Sequence, residues 1–163
     1  MSRCLLGDVI DDPRAGPLGP APQASPFEMT GIVQGGYRQG RLLGFPTANL
    51  AIGVDCPLPD GVWAGLAVIL DSDVGVEFPA AISIGRRPTY AGFTDERVLE
   101  AHLLGFCGSL YGRTLRVSLH HYIREQVRFS GSEQLSSQIC EDVRRVRSWD
   151  SSRRGSRAPG ALR

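Results

Sequence analysis

Thr47 and Asn49 carry short oxygen-bearing side chains two residues apart. On an extended segment such a pair points the same way. Pro46 stiffens the backbone just ahead of them. Upstream, Gly31, Gly35, Gly36 and Gly40 punctuate a short apolar run. Glycines let a chain turn sharply and bring its N–H groups close to an anion, because no Cβ intervenes. Oxygen ligands on a stiff backbone beside a glycine-rich phosphate loop suit Mg²⁺ held against a nucleotide. Arg41 lies in the same loop, where a cation can screen phosphates.

A second group lies far along the chain. Glu100 sits in Val98-Leu99-Glu100-Ala101-His102-Leu103-Leu104, with apolar neighbours on both sides. A carboxylate there is either an outward-facing strand residue or a partly desolvated base. His102 shares its parity and reads as a hydrogen-bonded histidine of the barrel wall or as a second polar group of a pocket. Ile84-Gly85-Arg86-Arg87-Pro88 is a strand end with a stiff turn. Its arginines either approach phosphates or sit exposed on a loop.

Composition narrows the chemistry. The chain has 163 residues and a net charge of +1, which fits one domain with tails and predicts no bulk attraction to nucleic acid or membrane. All 18 basic residues are arginines. A Walker-A loop needs its lysine, so phosphoryl transfer of the P-loop type is excluded. The four cysteines are scattered without zinc-ligand spacing and are expected to be reduced thiols. The N-terminus lacks an apolar signal core, and no segment is long enough to span a bilayer. A soluble, cytoplasmic, monomeric protein is expected.

The elements that must hold these groups are mostly strands. Residues 1–25 are rich in Pro, Gly and Ala and are expected to form a disordered arm. The Arg-rich stretch 150–163 is expected to be a disordered tail, which leaves a domain over 26–149. Strands are predicted at Phe27–Gln34, Thr47–Ile52, Val62–Leu70, Glu77–Ile84, Val98–Phe106 and Leu115–Ile123. On the last, Leu115, Val117, Leu119, His121 and Ile123 alternate with Arg116, Ser118, His120 and Tyr122. Short strands at regular spacing argue for a closed barrel or a sandwich. Leu135, Ile139, Val143 and Val146 then recur at helical spacing. Ser130 and Glu133 match a capping box.

Two blocks carry a family resemblance. Gly31-Ile32-Val33-Gln34-Gly35-Gly36, Gly40-Arg41 and Leu43-Gly44-Phe45-Pro46-Thr47-Ala48-Asn49 resemble the start of riboflavin kinases (flavokinases). That module also forms the C-terminal half of bacterial bifunctional FAD synthetases. Glu100 to Phe106, followed by Leu110-Tyr111-Gly112, resembles the second signature of the family. The likeness covers residues 27–147. It implies a mainly β fold, a closed six-stranded Greek-key antiparallel barrel with one C-terminal α-helix. It implies transfer of phosphate from ATP to the ribityl 5′-hydroxyl of riboflavin, giving FMN and ADP. Glu100 would be the base, and Thr47 and Asn49 would hold Mg²⁺, with Zn²⁺ or Mn²⁺ as substitutes. The base would face that pair across a gap one ribityl chain wide. Gly35, Gly36, Gly40, Arg41, Thr47, Asn49, Leu103, Gly105 and Tyr111 would line the nucleotide. Arg124, Val127 and Phe129 would hold the flavin from a flap before the helix. Gly105, Ser109 and Gln126 stand where the family often has acids. Those changes and the atypical tails motivate one alternative, a non-catalytic flavin- or nucleotide-binding module; a narrower alternative is a kinase for a flavin analogue, which pocket shape decides. The residues ahead of Phe27 are expected to be too few for the nucleotidyltransferase half of the bifunctional enzymes.

Overall fold

The computed structural model describes residues 26–35, 42–53, 56–71, 75–86 and 97–156. Six strands and one helix follow in order: β1 (Phe27–Ile32), β2 (Ala48–Ala51), β3 (Gly61–Ile69), β4 (Glu77–Arg86), β5 (Arg97–Leu103), β6 (Thr114–Arg124) and α1 (Ser132–Ser156). All six strands form where the alternation predicts them, with ends shifted by a few residues. β5 stops at Leu103 rather than Phe106 because the chain turns at Gly105, whose φ of 80° suits glycine.

The strands form one antiparallel sheet in the order β1-β6-β3-β4-β5-β2. Gln34, just past β1, bridges to Asn49 in β2, with its N–H 2.8 Å from the Asn49 carbonyl oxygen. Among the described residues, that bridge joins the two edge strands and nearly closes the barrel. Closure matters because open edges invite further pairing.

The interior is filled by Leu50, Ile82, Ile84, Leu99, Leu115 and Val117, each with less than 2% exposure. Burying such a side chain contributes about 1.5–3 kcal/mol. Trp63 and Tyr122 meet edge to face at 4.9 Å and plug the same core. β3 is buried on both faces. Trp63, Ala67 and Ile69 belong to the core, whereas Val62, Ala64 and Leu66 are buried outside it, where α1 packs on β3 and β4. Val143 and Val146 are the buried apolar residues of the helix.

Three expectations need correction. The first is the simple alternation along β6. Register shifts between Val62 and Trp63 and between Ala64 and Gly65 interrupt its pairing with β3. Leu115, Val117 and Leu119 stay in the core, but His121 pairs with Ala64 outside it and Tyr122 packs against the core instead. A bulge adds a residue and exchanges the faces beyond it. The second concerns the helix ends. Ser130 donates to the Gln134 side chain at 2.9 Å, the first helical bond runs from Leu135 N–H to Gly131 oxygen, and α1 begins at Ser132. The helix then runs past Asp150 to Ser156, since Arg153 and Arg154 both bond the Asp150 carboxylate and Arg153 also reaches Glu77 at 3.0 Å. The third concerns the thiols: Cys56 and Cys140 are free, but Cys107 is disulfide-bonded. The arm over 1–25 and the tail over 157–163 lie outside the described residues.

Candidate active site

One transverse row of the sheet carries most of the chemistry. Asn49 on β2 pairs with Glu100 on β5, and Glu100 pairs with Ser83 on β4. Ser83 pairs with Val62 on β3, and Val62 with Arg124 on β6. Leu99, Ala101 and Leu103 point into the core, so Glu100 and His102 occupy the outer face. Asn49 shares that face yet is only 5% exposed. Directly opposed residues of an antiparallel pair have Cβ atoms about 5 Å apart. The acid and the asparagine are therefore neighbours on adjacent strands of the outer wall, rather than groups facing each other across a gap.

His102 stands two residues along the same face. Its Nδ1 lies 2.9 Å from the Pro46 carbonyl oxygen. A carbonyl only accepts, so Nδ1 carries the hydrogen and donates it. Burial pushes the His102 pKa below the ordinary histidine value, and the Arg147 charge adds to that against the Pro46 hydrogen bond. The Phe45 ring meets the imidazole edge to face at 5.6 Å. The ladder begins at the Ala48–Ala101 pair, immediately after Thr47. Thr47 itself is half-buried.

The far end of the row is held by the helix. Arg124 donates two hydrogen bonds to Asp142, Nε to Oδ1 at 2.9 Å and an η nitrogen to Oδ2 at 2.6 Å. Asp142 is 3% exposed and also accepts from Gln138 at 3.1 Å. The guanidinium lies 6.0 Å from the Phe129 ring centroid. Between Arg124 and Phe129 the chain folds back over the sheet. Gln126 donates from Nε2 to Ser83 Oγ at 2.7 Å and to the Ile84 carbonyl at 3.0 Å. It lies over Gly85, where a Cβ would come within 3.0 Å of the amide. The flap is thereby pinned beside Ser83, the strand neighbour of Glu100.

The remaining candidates are dispersed. Leu103 is 4% exposed and its side chain belongs to the core. Gly105 is exposed at a left-handed turn, and Tyr111 and Val127 are exposed at 42% and 53%. Gly35 is exposed next to the Gln34–Asn49 bridge. Gly36, Gly40, Arg41 and Arg87 lie outside the described residues, and Arg86 is exposed at the end of β4. An open depression of about 520 Å³ separates Leu43 from the first turns of α1. Its lining of Ser132, Glu133, Ser136 and Ser137 includes none of the row residues.

Sequence reasoning misses Asp142, Ser83 and the donor role of Gln126. Asp142 had a signal. It falls three residues after Ile139 and four before Val146, on the apolar stripe of the helix. An acid on a buried stripe requires a cationic partner. Ser83 and Gln126 gave none, because their link joins residues far apart in sequence.

Comparison with known proteins identifies the family. The sequence profile of the flavokinase family, described as riboflavin kinase, matches residues 23–149. A bifunctional riboflavin kinase/FMN adenylyltransferase of Buchnera aphidicola is 35% identical over 147 residues, covering 90% of this chain and 44% of that protein. The Escherichia coli K12 protein of the same description is 38% identical over 117 residues, covering 72% of this chain and 36% of its own. The chain thus spans less than half the length of these relatives. The solved riboflavin kinase of Trypanosoma brucei has the same fold, with a TM-score of 0.60 at 22% identity, covering 86% of this chain and 95% of that one. With the barrel, the helix and both signature blocks in place, the chain belongs to the riboflavin kinase (flavokinase) family.

Proposed function

We propose that the chain transfers the γ-phosphoryl group of ATP to the ribityl 5′-hydroxyl of riboflavin, giving FMN and ADP. The observation that carries this reading is the place of Glu100. It has Asn49 on one side and, on the other, Ser83 with the Gln126 flap bonded to it. A phosphate donor held near Asn49 and an alcohol delivered under the flap would meet at this carboxylate.

In this reading the Glu100 carboxylate accepts the hydroxyl proton as the oxygen attacks the γ-phosphorus. The bond from that phosphorus to the bridging oxygen breaks, and ADP leaves with the electron pair. The Thr47 hydroxyl and the Asn49 carboxamide would hold a divalent ion. Two neutral hard oxygens suit Mg²⁺ or Mn²⁺, which keep water and phosphate as their other ligands, and suit Zn²⁺ poorly. The ion would neutralise charge on the phosphates. Backbone N–H groups of the glycine segment around Gly35, Gly36 and Gly40, with Arg41, would cradle those phosphates. Leu103 (through its backbone), Gly105 and Tyr111 would border the nucleotide. Arg124, Val127 and Phe129 would hold the flavin, the planar guanidinium and the ring suiting a flat heteroaromatic partner. We assign this activity to a monomeric cytoplasmic unit over residues 26–149 extended by the rest of α1. Among the described residues, no helix is long and apolar enough to cross a membrane.

The test is incubation of the chain with riboflavin and MgATP, followed by chromatographic separation of the flavins. FMN is expected from the wild type. Glu100→Gln is expected to lose about 10²–10⁴-fold in turnover while still quenching riboflavin fluorescence. Full activity in that variant would refute the assigned base. Flavin retention without ATP consumption by the wild type would select the binding module instead.

A further inference from the structure

We propose that His102 is a positioning residue for the metal-holding segment: its Nδ1–H, bonded to the Pro46 carbonyl, fixes Thr47 against the strand that carries Glu100. The inference rests on the function proposed above and adds a residue to it.

Three observations converge on it. The His102–Pro46 hydrogen bond, at 2.9 Å, joins residues 56 positions apart. It therefore ties two separate segments rather than stabilising one. The Phe45 ring packs edge to face on the same imidazole. Consecutive residues of the segment, Phe45 and Pro46, are thus gripped by one side chain immediately before Thr47. Asn49 is independently fixed by its pairing with Glu100 and by the Gln34 N–H on its carbonyl oxygen. The ladder between β2 and β5 starts only at Ala48. Thr47 precedes that ladder, so the described structure gives it no strand partner to set its height over the sheet. His102 supplies the missing constraint.

The chemistry explains why a histidine serves here. The imidazole offers a directional donor to the carbonyl and an aromatic edge to Phe45 on one rigid plane. A phenylalanine would offer only the ring, and an asparagine only the donor. Groups that orient metal ligands typically change metal affinity or activity about 10–100-fold when removed.

The experiment compares His102→Phe and His102→Asn with the wild type in the full chain. Mn²⁺ binding is titrated by electron paramagnetic resonance in the presence of ADP. Riboflavin affinity, thermal midpoint, and separate kcat and KM values for nucleotide and flavin are measured alongside. His102→Phe is expected to weaken Mn²⁺ binding about tenfold or more and to leave riboflavin affinity unchanged. His102→Asn is expected to recover most of the Mn²⁺ affinity despite losing the ring. Wild-type Mn²⁺ affinity in His102→Phe overturns the proposal. So does equal damage in both variants, or a loss that follows the thermal midpoint and lowers riboflavin affinity in step. If the wild type makes FMN and His102→Phe binds Mn²⁺ normally, only this inference fails. If the wild type makes no FMN, the function falls and takes the inference with it.

Discussion

Asp142→Asn isolates the ion pair that fixes the flap to the helix. The substitution preserves shape and leaves Gln138 a carbonyl to donate to, but it removes the charge that Arg124 answers. The side chains of Arg124 and Asp142 are 17% and 5% exposed. Breaking a buried pair by neutralising one partner costs about 3–5 kcal/mol, because the other charge stays buried. The partial exposure of Arg124 lets water reach part of the guanidinium, so the lower end, about 3 kcal/mol, applies. For a domain of this size that lowers the thermal midpoint by about 10 °C. Calorimetry reads the shift directly. The double variant Arg124→Met with Asp142→Leu removes both charges together and is expected to return to within about 1 kcal/mol of the wild type. The same double variant is expected to bind riboflavin poorly, since the guanidinium assigned to the flavin is gone. A midpoint drop below about 3 °C in Asp142→Asn, or a double variant as unstable as the two single changes added, would refute the reasoning.

Gly65→Ala would drive a Cβ into the Ser118 carbonyl and the Ile82 side chain at a bulge, so a loss of about 3 kcal/mol is expected by urea titration; a neutral result would contradict the close approach. Gln126→Glu sets a carboxylate against the Ile84 carbonyl and removes both donated bonds. Amide exchange in residues 125–129 is expected to quicken about tenfold with little change in global stability, and unchanged exchange would unpin the flap. His102, His120 and His121 are all pushed below the ordinary histidine value by burial. The unfolded chain then binds more protons than the folded one just below pH 6.5. Stability should be complete above about pH 6.5 and fall as pH drops through the lowered folded-state values. Asp71, held low by the Thr114 N–H, titrates beneath that window. A urea midpoint that stays flat or rises from pH 7 to 5 would reverse the sign.

The barrel was legible because its strands are short, alternating and bounded by turn residues, and the helix because Leu135, Ile139, Val143 and Val146 keep one stripe. What alternation could not show was the bulged stretch of β6, where a register shift exchanges faces without any mark in the residue types. His121 and Tyr122 consequently trade the places that parity gives them. The helix end was misread for a different reason. Arg153 and Arg154 look like a solvated tail until Asp150, one turn earlier, and Glu77, on another element, are seen to bind them. At the site, short motifs single out Thr47, Asn49 and Glu100. They do not show that Asn49 and Glu100 pair on the outer wall, because motifs say nothing of which side of the sheet faces the core. His102 shows the limit most clearly. A lone histidine on a strand reads as wall material, and only the meeting of Pro46 with β5 reveals what it grips.

Among the described residues, the bridge from Gln34 to Asn49 is the slenderest join in the ring, one backbone bond where other seams have a ladder. It also falls on a residue assigned to the metal. A ring closed there by one stitch among its described residues would be expected to open at that point before its laddered seams do. In the proposed reading, nucleotide entry and the first fraying of the fold would share one doorway. Any change that tightens this stitch to toughen the protein would be expected to slow the traffic through it.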